Sequence, residues 1–199
     1  MKAKRMSREL NIAVVGATGA VGREFLGILE DHSLPINNLK LLASRRSVGT
    51  KLSVRGQEIE VEEAKPNSFH NIDFAFISAN SSISRQLAPE AVKRGAVVID
   101  DSSVFRMQTN VPLVVPEVNG SDVEWHEGII SIPNCSTTPL VMAIHPLVQS
   151  NVVKRVIVNT YQSVSGAGGA AINELREQSI ALINNREYPS EALSQQIAF

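Results

Sequence analysis

The chain has 199 residues, of which 43% are hydrophobic and 20% are charged. This length suits one domain of ordinary size, or one domain and part of a second, and the apolar fraction excludes disordered and fibrous proteins. With 19 basic and 20 acidic residues, the net charge is -1 and no basic stripe is present, which argues against nucleic-acid and acidic-membrane partners. No apolar run approaches the roughly 18 residues of a membrane span.

Residues 1–10 are basic and predict a solvated N-terminal tail. A secretory signal would continue into a longer apolar segment with a cleavage site, whereas here a short apolar run at residues 12–15 leads into a glycine loop. Cys135 is the lone cysteine of the sequence, so no intrachain disulfide can form. Both features favour the reducing cytoplasm.

Strand-like and helix-like stretches alternate in the first half of the chain. The predicted strands are residues 11–16, 39–43, 73–78, 96–100 and 129–132, and the predicted helices are residues 20–31 and 82–94. Apolar residues alternate on both sides of Gly56, which predicts a β-hairpin. Continuous apolar strands between amphipathic helices predict an α/β fold, in which a mostly parallel sheet is covered on both faces.

The pattern changes near Pro133, where we place a domain boundary. A helix over residues 136–149, a strand over 155–163, a glycine-rich turn and a last helix are predicted beyond it. The last helix carries an apolar stripe of Ile172, Leu175, Ile180 and Ile183. Residues 11–133 are therefore predicted to be a cofactor-binding domain, and residues 134–199 the first part of a second domain whose core continues beyond residue 199.

Three glycines follow the first strand. Gly16, Gly19 and Gly22 have the spacing G-x-x-G-x-x-G and lie between a predicted strand and a predicted helix. In that setting, glycines let the backbone approach a pyrophosphate, and the helix N-terminus attracts its charge. The motif predicts a dinucleotide site, the alternative being a glycine-rich connection without a ligand.

The end of the second predicted strand bears on which dinucleotide is bound. Sites that prefer NAD offer an acidic residue there for the ribose 2′-hydroxyl. Here Ser44, Arg45, Arg46 and Ser47 follow the strand, and no carboxylate is present. These side chains suit a 2′-phosphate and favour NADP, the alternative being a solvated basic turn.

Cys135 follows an apolar strand and opens a predicted helix. A helix N-terminus favours the thiolate, which is the nucleophilic form of cysteine. A lone cysteine is more often a small buried hydrophobe, and that is the alternative here. A thiolate beside a nicotinamide implies that a carbonyl compound and its acyl derivative are interconverted through a thioester, with hydride transfer.

That chemistry needs a residue that shuttles a proton, and none of the four histidines is a convincing general base. His145 lies about 15 Å of helical rise from Cys135, which is too far for contact. His70 and His126 each precede a predicted strand, at the opposite edge of the sheet, and His32 is also remote. All four are interpreted as surface or packing residues.

Two polar residues near predicted strand ends could bind substrate. Arg106 follows the strand at 96–100 and could clamp a phosphate or a carboxylate, the alternative being a surface salt bridge. Gln162 ends a predicted strand beside a second glycine turn, where it could orient a substrate carbonyl while the turn approaches the nicotinamide.

Together these segments resemble aspartate-semialdehyde dehydrogenase. In chain order they are GATGAVG at 16–22, ASRRSVG at 43–49, AVVIDDSSVFRM at 96–107, VPLVVPEVN at 111–119, IPNCSTTP at 132–139 and TYQSVSGAGGAA at 160–171. By this resemblance Cys135 is the acyl-thioester nucleophile. The implied substrate and phosphate ligands are Arg106, Asn134 and Gln162. NADP would be held by Gly16, Thr18, Gly19, Ala20, Val21, Ser44, Arg46 and Ser47, with Ser165 and Gly166 near the nicotinamide. No metal site is predicted.

The resemblance also implies a reaction and a fold. The reaction is the NADPH-dependent reductive dephosphorylation of L-aspartyl 4-phosphate to L-aspartate 4-semialdehyde, which serves diaminopimelate and lysine, methionine and threonine synthesis. The fold is a Rossmann-type domain followed by the start of an α+β catalytic and dimerisation domain like that of glyceraldehyde-3-phosphate dehydrogenase. The family forms homo-oligomers, dimers or tetramers, through the second domain.

The family's catalytic histidine and a substrate-binding arginine would lie beyond residue 199. We therefore expect the 199-residue chain by itself to bind NADP weakly or not at all and to turn over little substrate. One alternative is another acyl-phosphate reductase, such as N-acetyl-glutamyl-phosphate reductase. The other is a non-catalytic NADP-binding module or fragment.

Overall fold

A computed structural model describes residues 8–199, so most of the predicted tail, residues 1–7, lies outside the described part. The chain forms two compact units, of which the first extends to Val156 and the second comprises Ile157–Phe199. The strands of the first unit are β1 (Leu10–Val15), β2 (Ile36–Ala43), β3 (Lys51–Val54), β4 (Gln57–Glu60), β5 (Glu62–Glu63), β6 (Phe74–Ile77), β7 (Val97–Asp100) and β8 (Ile129–Ser131). Its helices are α1 (Ala20–Asp31), α2 (Ser81–Lys93), α3 (Pro116–Asn119) and α4 (Thr137–Ser150). The second unit contains α5 (Gly169–Ile183).

Six strands form one parallel sheet in the order β5-β2-β1-β6-β7-β8. β3 and β4 form a separate antiparallel hairpin, whose turn contains Gly56 at φ 75°. The chain leaves β1 toward one edge of the sheet and leaves β6 toward the other. In sheets of this kind, ligands bind in the crevice at the carboxyl ends of the strands where the direction changes, here between β1 and β6.

Successive side chains of β1 point to opposite faces of the sheet. Ala13 and Val15 pack in a buried cluster with Leu87 of α2, whereas Val14 packs in a second cluster with Leu29 of α1. Helices therefore cover the two faces, and the predicted α/β fold with a parallel sheet is confirmed. Within residues 8–199, every helix is too short or too polar to cross a lipid bilayer.

The strand predicted over residues 155–163 is absent, and that prediction is wrong. Residues 151–163 are neither helix nor strand. Ile157 and Tyr161 are 80% and 102% exposed. A strand is stabilised by backbone hydrogen bonds to a neighbouring strand. In the described part of the chain no strand pairs with this segment, so its apolar composition alone does not make it a strand.

The apolar stripe predicted for the last helix does not form a buried face. Ile172, Ile180 and Ile183 of α5 are exposed. The buried residues of α5 are Ala171, Glu174 and Gln178. The helix itself is present as predicted, but it packs through polar side chains.

Candidate active site

The glycine loop after β1 requires glycine at two of its positions. Gly16 has φ 86°, and a Cβ atom there would lie 1.9 Å from the carbonyl oxygen of Ser78. A Cβ atom on Gly22 would lie 2.2 Å from the carbonyl oxygen of Gly16. The loop is therefore folded tightly against the residue that follows β6, at the crevice between β1 and β6.

Gly19 is the N-cap of α1 and offers no side-chain cap to the helix. The first turn of a helix leaves N–H groups without intrahelical acceptors, and the helix dipole makes that end positive. Ala20 and Val21 stand in this first turn, which contains no acidic residue. The sequence here thus forms a cradle suited to the phosphates of a dinucleotide.

The basic turn after β2 lies against this glycine loop. Thr18 Oγ1 donates a hydrogen bond to Ser47 Oγ at 3.2 Å. Ser47 closes a 3-10 turn, Arg45–Ser47, in which Arg46 is exposed, and Ser44 is the exposed N-cap. The structure therefore brings together two segments that the sequence assigned to one cofactor.

Arg106 is hydrogen-bonded to the segment that leads to Cys135. Its Nε donates to the carbonyl oxygen of Ile132 at 2.9 Å, and its Nη2 donates to the carbonyl oxygen of Asp101 at 2.6 Å. These two bonds fix the plane of the guanidinium group beside the strand end that precedes the predicted nucleophile. The alternative of a surface salt bridge does not describe this arrangement.

A side-chain turn at Asn134 presents Cys135. Asn134 Oδ1 accepts hydrogen bonds from the Ser136 N–H at 3.1 Å and from Ser136 Oγ at 2.7 Å. Cys135 Sγ lies 3.8 Å from the same oxygen. Cys135 is exposed, two residues before α4 begins. The thiol is therefore accessible rather than packed as a buried hydrophobe.

Ser78 and Asp101 belong to this region and were not singled out from the sequence. Ser78 Oγ donates to Asp101 Oδ2 at 2.8 Å. Burial raises the pKa of Asp101, and the Ser78 hydrogen bond and the charge of Arg106 oppose that rise. A continuous set of contacts thus runs from Gly16 through Ser78, Asp101 and Arg106 to Ile132. The signal in the sequence was that both residues directly follow buried strands.

Two domain profiles match the sequence. "Semialdehyde dehydrogenase, NAD binding domain" matches residues 11–126, and "Semialdehyde dehydrogenase, dimerisation domain" matches residues 144–199. The chain belongs to the semialdehyde dehydrogenase family.

Curated relatives carry the name aspartate-semialdehyde dehydrogenase, which confirms the resemblance seen in the motifs. The protein of Bacillus subtilis is 52% identical over 188 residues, which cover 94% of this chain and 54% of the relative. The protein of Aquifex aeolicus is 48% identical over 94% of this chain and 56% of the relative. The chain spans about half the length of the curated relatives it matches.

Solved structures of the same family share the fold. Aspartate semialdehyde dehydrogenase II of Vibrio cholerae, complexed with ASA, has a TM-score of 0.89 and 40% identity over 96% of this chain and 58% of that one. Aspartate semialdehyde dehydrogenase of Candida albicans, with NADP, has a TM-score of 0.63 and 30% identity over 72% of this chain and 48% of that one.

In this semialdehyde dehydrogenase chain, the remaining predicted site residues lie together in the second unit. Ser163 Oγ accepts a hydrogen bond from the Ser165 N–H, and the two hydroxyl oxygens are 3.0 Å apart. Gln162 and Gly166 line a cavity of about 320 Å³. The cavity is also lined by Leu193 and Ile197, which the sequence gave no reason to select. The roles assigned to all these residues stay predictions.

Two of the four histidines lie at the edge of the sheet that the sequence predicts. His70 and His126 precede β6 and β8, at the edge of the sheet opposite to the glycine loop. His126 Nδ1 accepts a hydrogen bond from the Gly128 N–H, and His145 Nε2 lies 3.0 Å from Gln149 Nε2. Within the described residues, no group of three or more His, Cys, Asp or Glu side chains is arranged to hold a metal ion.

Proposed function

We propose that this chain carries the cofactor-binding and acyl-transfer parts of an aspartate-semialdehyde dehydrogenase. The reaction is the NADPH-dependent reductive dephosphorylation of L-aspartyl 4-phosphate to L-aspartate 4-semialdehyde, serving diaminopimelate and lysine, methionine and threonine synthesis. The observation that carries the proposal is the bond from Arg106 to the Ile132 carbonyl, three residues before the exposed thiol of Cys135. This bond ties Arg106 to the short segment that carries the proposed nucleophile, which places a guanidinium group where it could bind the phosphate of an acyl phosphate.

The first step is attack by the Cys135 thiolate on the acyl carbon of the substrate. A carbon–sulfur bond forms, the bond from carbon to the phosphate oxygen breaks, and inorganic phosphate leaves with the electron pair. The guanidinium group of Arg106 already donates one N–H from Nε and one from Nη2 to carbonyl oxygens. Its other N–H groups are the donors proposed to hold the phosphate of the substrate.

Asn134 and Gln162 are proposed to hold the substrate. Asn134 Oδ1 is engaged by the Ser136 N–H and hydroxyl, which fixes the turn that carries the thiol. Its Nδ2 group is therefore the part of this amide that we propose donates to a substrate oxygen. The Gln162 amide is proposed to orient the substrate carbonyl.

The glycine loop fits NADP. Gly16 and Gly22 let the loop pack tightly on Ser78 and on itself, and Gly19, Ala20 and Val21 form an uncharged helix start that suits the phosphates. The cofactor would supply the hydride that reduces the acyl group. Thr18 and Ser47 join this cradle to the basic turn, where Ser44 and Arg46 would bind the 2′-phosphate, while Ser165 and Gly166 would lie near the nicotinamide. The lack of a carboxylate in residues 44–49 supports NADP over NAD.

Two further properties are proposed with the function. The name of the profile matched by residues 144–199 supports a homodimer formed through this part of the chain. Exposed apolar side chains there, among them Leu147, Ile157 and Ile183, support the same proposal. The lone exposed thiol of Cys135 supports the reducing cytoplasm as the location.

Acylation of the thiol tests the proposal directly. The chain is mixed with L-aspartyl 4-phosphate without cofactor, the reaction is quenched in acid, and the mass of the intact protein is measured by mass spectrometry. We expect one aspartyl adduct on Cys135 that hydroxylamine removes, as it removes thioesters. The variant Arg106→Lys should acylate about tenfold more slowly, because a lysine cannot make the paired hydrogen bonds of a guanidinium group.

Cys135→Ser is the control for the position of the adduct, and Arg85→Lys on the exposed face of α2 is the control for the arginine change. Absence of an adduct from the wild-type chain, or equal labelling of Cys135→Ser, would refute the proposal. If N-acetyl-glutamyl phosphate acylates the thiol faster than aspartyl phosphate does, the substrate assignment is wrong.

Cofactor choice is tested by NMR, which detects binding even in the millimolar range. We expect the amide resonances of Gly16, Gly19 and Ser47 to shift more strongly with NADPH than with NADH. Arg46→Ala should remove that difference, whereas Arg85→Ala, which removes the same charge elsewhere, should preserve it. Equal shifts with both cofactors in the wild-type chain would contradict the NADP assignment.

A further inference from the structure

Helix α5 buries two polar side chains that are one helical turn apart. Glu174 and Gln178 are 4% and 1% exposed, whereas Ile180 on the same helix is 46% exposed. An amphipathic helix usually buries its apolar side, and a buried polar group is costly unless it is hydrogen-bonded. The partners of Glu174 and Gln178 therefore show what α5 holds in place.

Glu174 accepts a hydrogen bond from Gln178 Nε2 at 3.5 Å and others from the backbone N–H groups of three consecutive residues. Its carboxylate accepts hydrogen bonds from the N–H of Glu191 at 2.7 Å, of Leu193 at 3.2 Å, and of Ala192 between them. The bond from Ala192 is the largest of the effects that lower the pKa of Glu174. The group is thus held as a carboxylate, which can accept all three bonds.

Gln178 binds the next part of the same segment. Its Oε1 accepts the N–H of Ile197 at 2.9 Å and of Ala198 at 3.3 Å, and its Nε2 donates to Ser190 Oγ at 3.1 Å. Residues 190–198 are neither helix nor strand. Five backbone N–H groups of this segment therefore end on two side chains of α5, which set its position.

The segment anchored in this way forms part of a cavity wall. Leu193 and Ile197 line the cavity of about 320 Å³ together with Gln162, Val164 and Gly166. The latter three belong to the glycine-rich turn that is proposed to lie near the nicotinamide. One wall of the cavity is thus the glycine-rich turn, and the other wall consists of two aliphatic residues.

We propose that Glu174 and Gln178 are positioning residues of the nicotinamide site, and that they hold Leu193 and Ile197 as the apolar wall against which the nicotinamide ring packs. The inference rests on the proposed function, since it takes the turn at Gln162 and Gly166 to be the nicotinamide side of the cofactor site. A flat, neutral dihydronicotinamide ring gains from contact with aliphatic side chains, whereas a phosphate or carboxylate would lose hydration there.

The test uses reduced nicotinamide mononucleotide, which carries the ring but lacks the adenosine half that the glycine loop would bind. The full chain is labelled on the methyl groups of leucine and isoleucine and titrated by NMR. We expect the methyl resonances of Leu193 and Ile197 to shift in a saturable way. In Glu174→Gln, which keeps the shape of the side chain but replaces an acceptor oxygen by a donor group, the ligand should bind at least tenfold more weakly.

Two further variants separate positioning from general stability. Glu177→Gln makes the same chemical change on the same helix and should bind as the wild-type chain does. The double variant Leu193→Ala with Ile197→Ala keeps the backbone N–H groups that bind Glu174 and Gln178, but it removes the wall. It should also lose at least tenfold in affinity, which a purely structural role of the two anchors does not predict.

The outcomes for the two units are read separately. The resonances of Gly16 and Gly19 could shift with NADPH while the methyl resonances of Leu193 and Ile197 do not shift with the mononucleotide. In that case the inference is wrong and the proposed function stands. If Glu174→Gln fails to fold, the double variant decides, and wild-type affinity in that variant overturns the inference. If neither the glycine loop nor the cavity responds to its ligand, the inference fails, and the acylation of Cys135, which needs no cofactor, decides the proposed function.

Discussion

The two units of the chain bury different kinds of side chains. In the first, Leu41, Leu42 and Val98 are fully buried and pack between the sheet and its helices. In the second, Glu174 and Gln178 are the buried residues that organise the packing of α5. Apolar packing is non-directional, whereas each hydrogen bond of Glu174 and Gln178 requires a particular donor in a particular place. The packing of the first unit thus depends on how well apolar side chains fill the core. The packing of the second unit depends on where its hydrogen-bond donors lie.

This difference matters for the proposed site. In the first unit, the packed sheet holds the ends of β1, β6, β7 and β8 in fixed register, and the glycine loop and Cys135 follow those ends. In the second unit, a few polar contacts place a segment without secondary structure beside the glycine-rich turn. We therefore expect substitutions in the first unit to lower the stability of the fold, and substitutions in the second to act on a local cavity.

The largest effect is expected from Gly16→Ala. The new Cβ atom would meet the Ser78 carbonyl at 1.9 Å, and φ 86° is strained for any L side chain. Both partners are backbone, so relief requires movement of β1 or β6. We expect a loss of about 4 kcal/mol in the free energy of unfolding. It is measured by urea titration with Trp125 fluorescence, which reports on the first unit.

Gly27→Ala is the matched control, because the same atom is added on α1, where nothing lies within 4 Å. Replacing an exposed helical glycine by alanine should stabilise the chain by about 0.5–1 kcal/mol. The changes in the free energy of unfolding of the two variants are therefore expected to have opposite signs. A loss of less than about 1 kcal/mol for Gly16→Ala would contradict the tight packing of the loop on Ser78.

The next effect in size is that of Leu42→Ala, which removes a fully buried side chain of β2. Loss of the transferred surface and the cavity left behind should cost about 3 kcal/mol in the same urea titration. Val48→Ala, at a side chain that is 47% exposed, should change stability by less than about 0.5 kcal/mol. Similar losses for the two variants would show that the core of the first unit is not closely packed.

The same contrast explains what could be predicted from the sequence. The strands of the parallel sheet were predictable because they are buried on both faces and appear as continuous apolar runs. β5, Glu62–Glu63, is too short to carry any periodic pattern. The apolar residues at 155–163 have the composition of a strand but have no paired strand among the described residues, and composition cannot reveal whether a partner is present.

The candidate site was predictable where spacing along the chain encodes it. The glycine loop and the Arg106 position follow strands, so their common edge could be inferred. The bond between Ser78 and Asp101 depends on β6 and β7 being neighbours, which no local pattern states. Leu193 and Ile197 lie in a segment without periodicity, and their position follows from hydrogen bonds to α5.

A smaller and local effect is expected when the second unit is acidified. Backbone hydrogen bonds lower the pKa of Glu174 below its ordinary value of 4.5. A lowered pKa means that the contribution of the carboxylate is complete above pH 4.5 and is lost as the pH falls through the lowered pKa. We expect the amide resonances of Glu191, Ala192 and Leu193 to keep their chemical shifts from neutral pH down to pH 4.5. They should then shift together as the pH falls through the lowered pKa of Glu174.

The amide of Ile197 is an internal control in that titration. Its acceptor is Gln178 Oε1, an uncharged oxygen with no proton to gain, so its resonance should move less than those of residues 191–193. Glu174→Gln should abolish the titration of all three amides. A shift of the three amides well above pH 4.5 would contradict the proposed hydrogen bonding of the carboxylate.

The smallest effect is expected for Asp101→Asn, which tests a charge in the first unit. Burial raises the pKa of Asp101, so its contribution to stability is complete below the ordinary value of about 4 and is lost as the pH rises through the raised pKa. The free energy of unfolding of the variant should therefore equal that of the wild-type chain at pH near 3 and exceed it at pH near 7. The gain should be below about 1 kcal/mol, because water screens this partly exposed group.

Urea titrations of both chains at the two pH values measure this difference. Ser78→Ala removes a hydrogen bond that lowers the pKa of Asp101, so it should move the pH-dependent loss to higher pH. The opposite result, a less stable Asp101→Asn at neutral pH, would mean that attraction between the carboxylate and Arg106 outweighs the cost of burial. The aspartate would then act chiefly as the electrostatic partner of the arginine, and the contacts from Gly16 to Ile132 would depend on its charge.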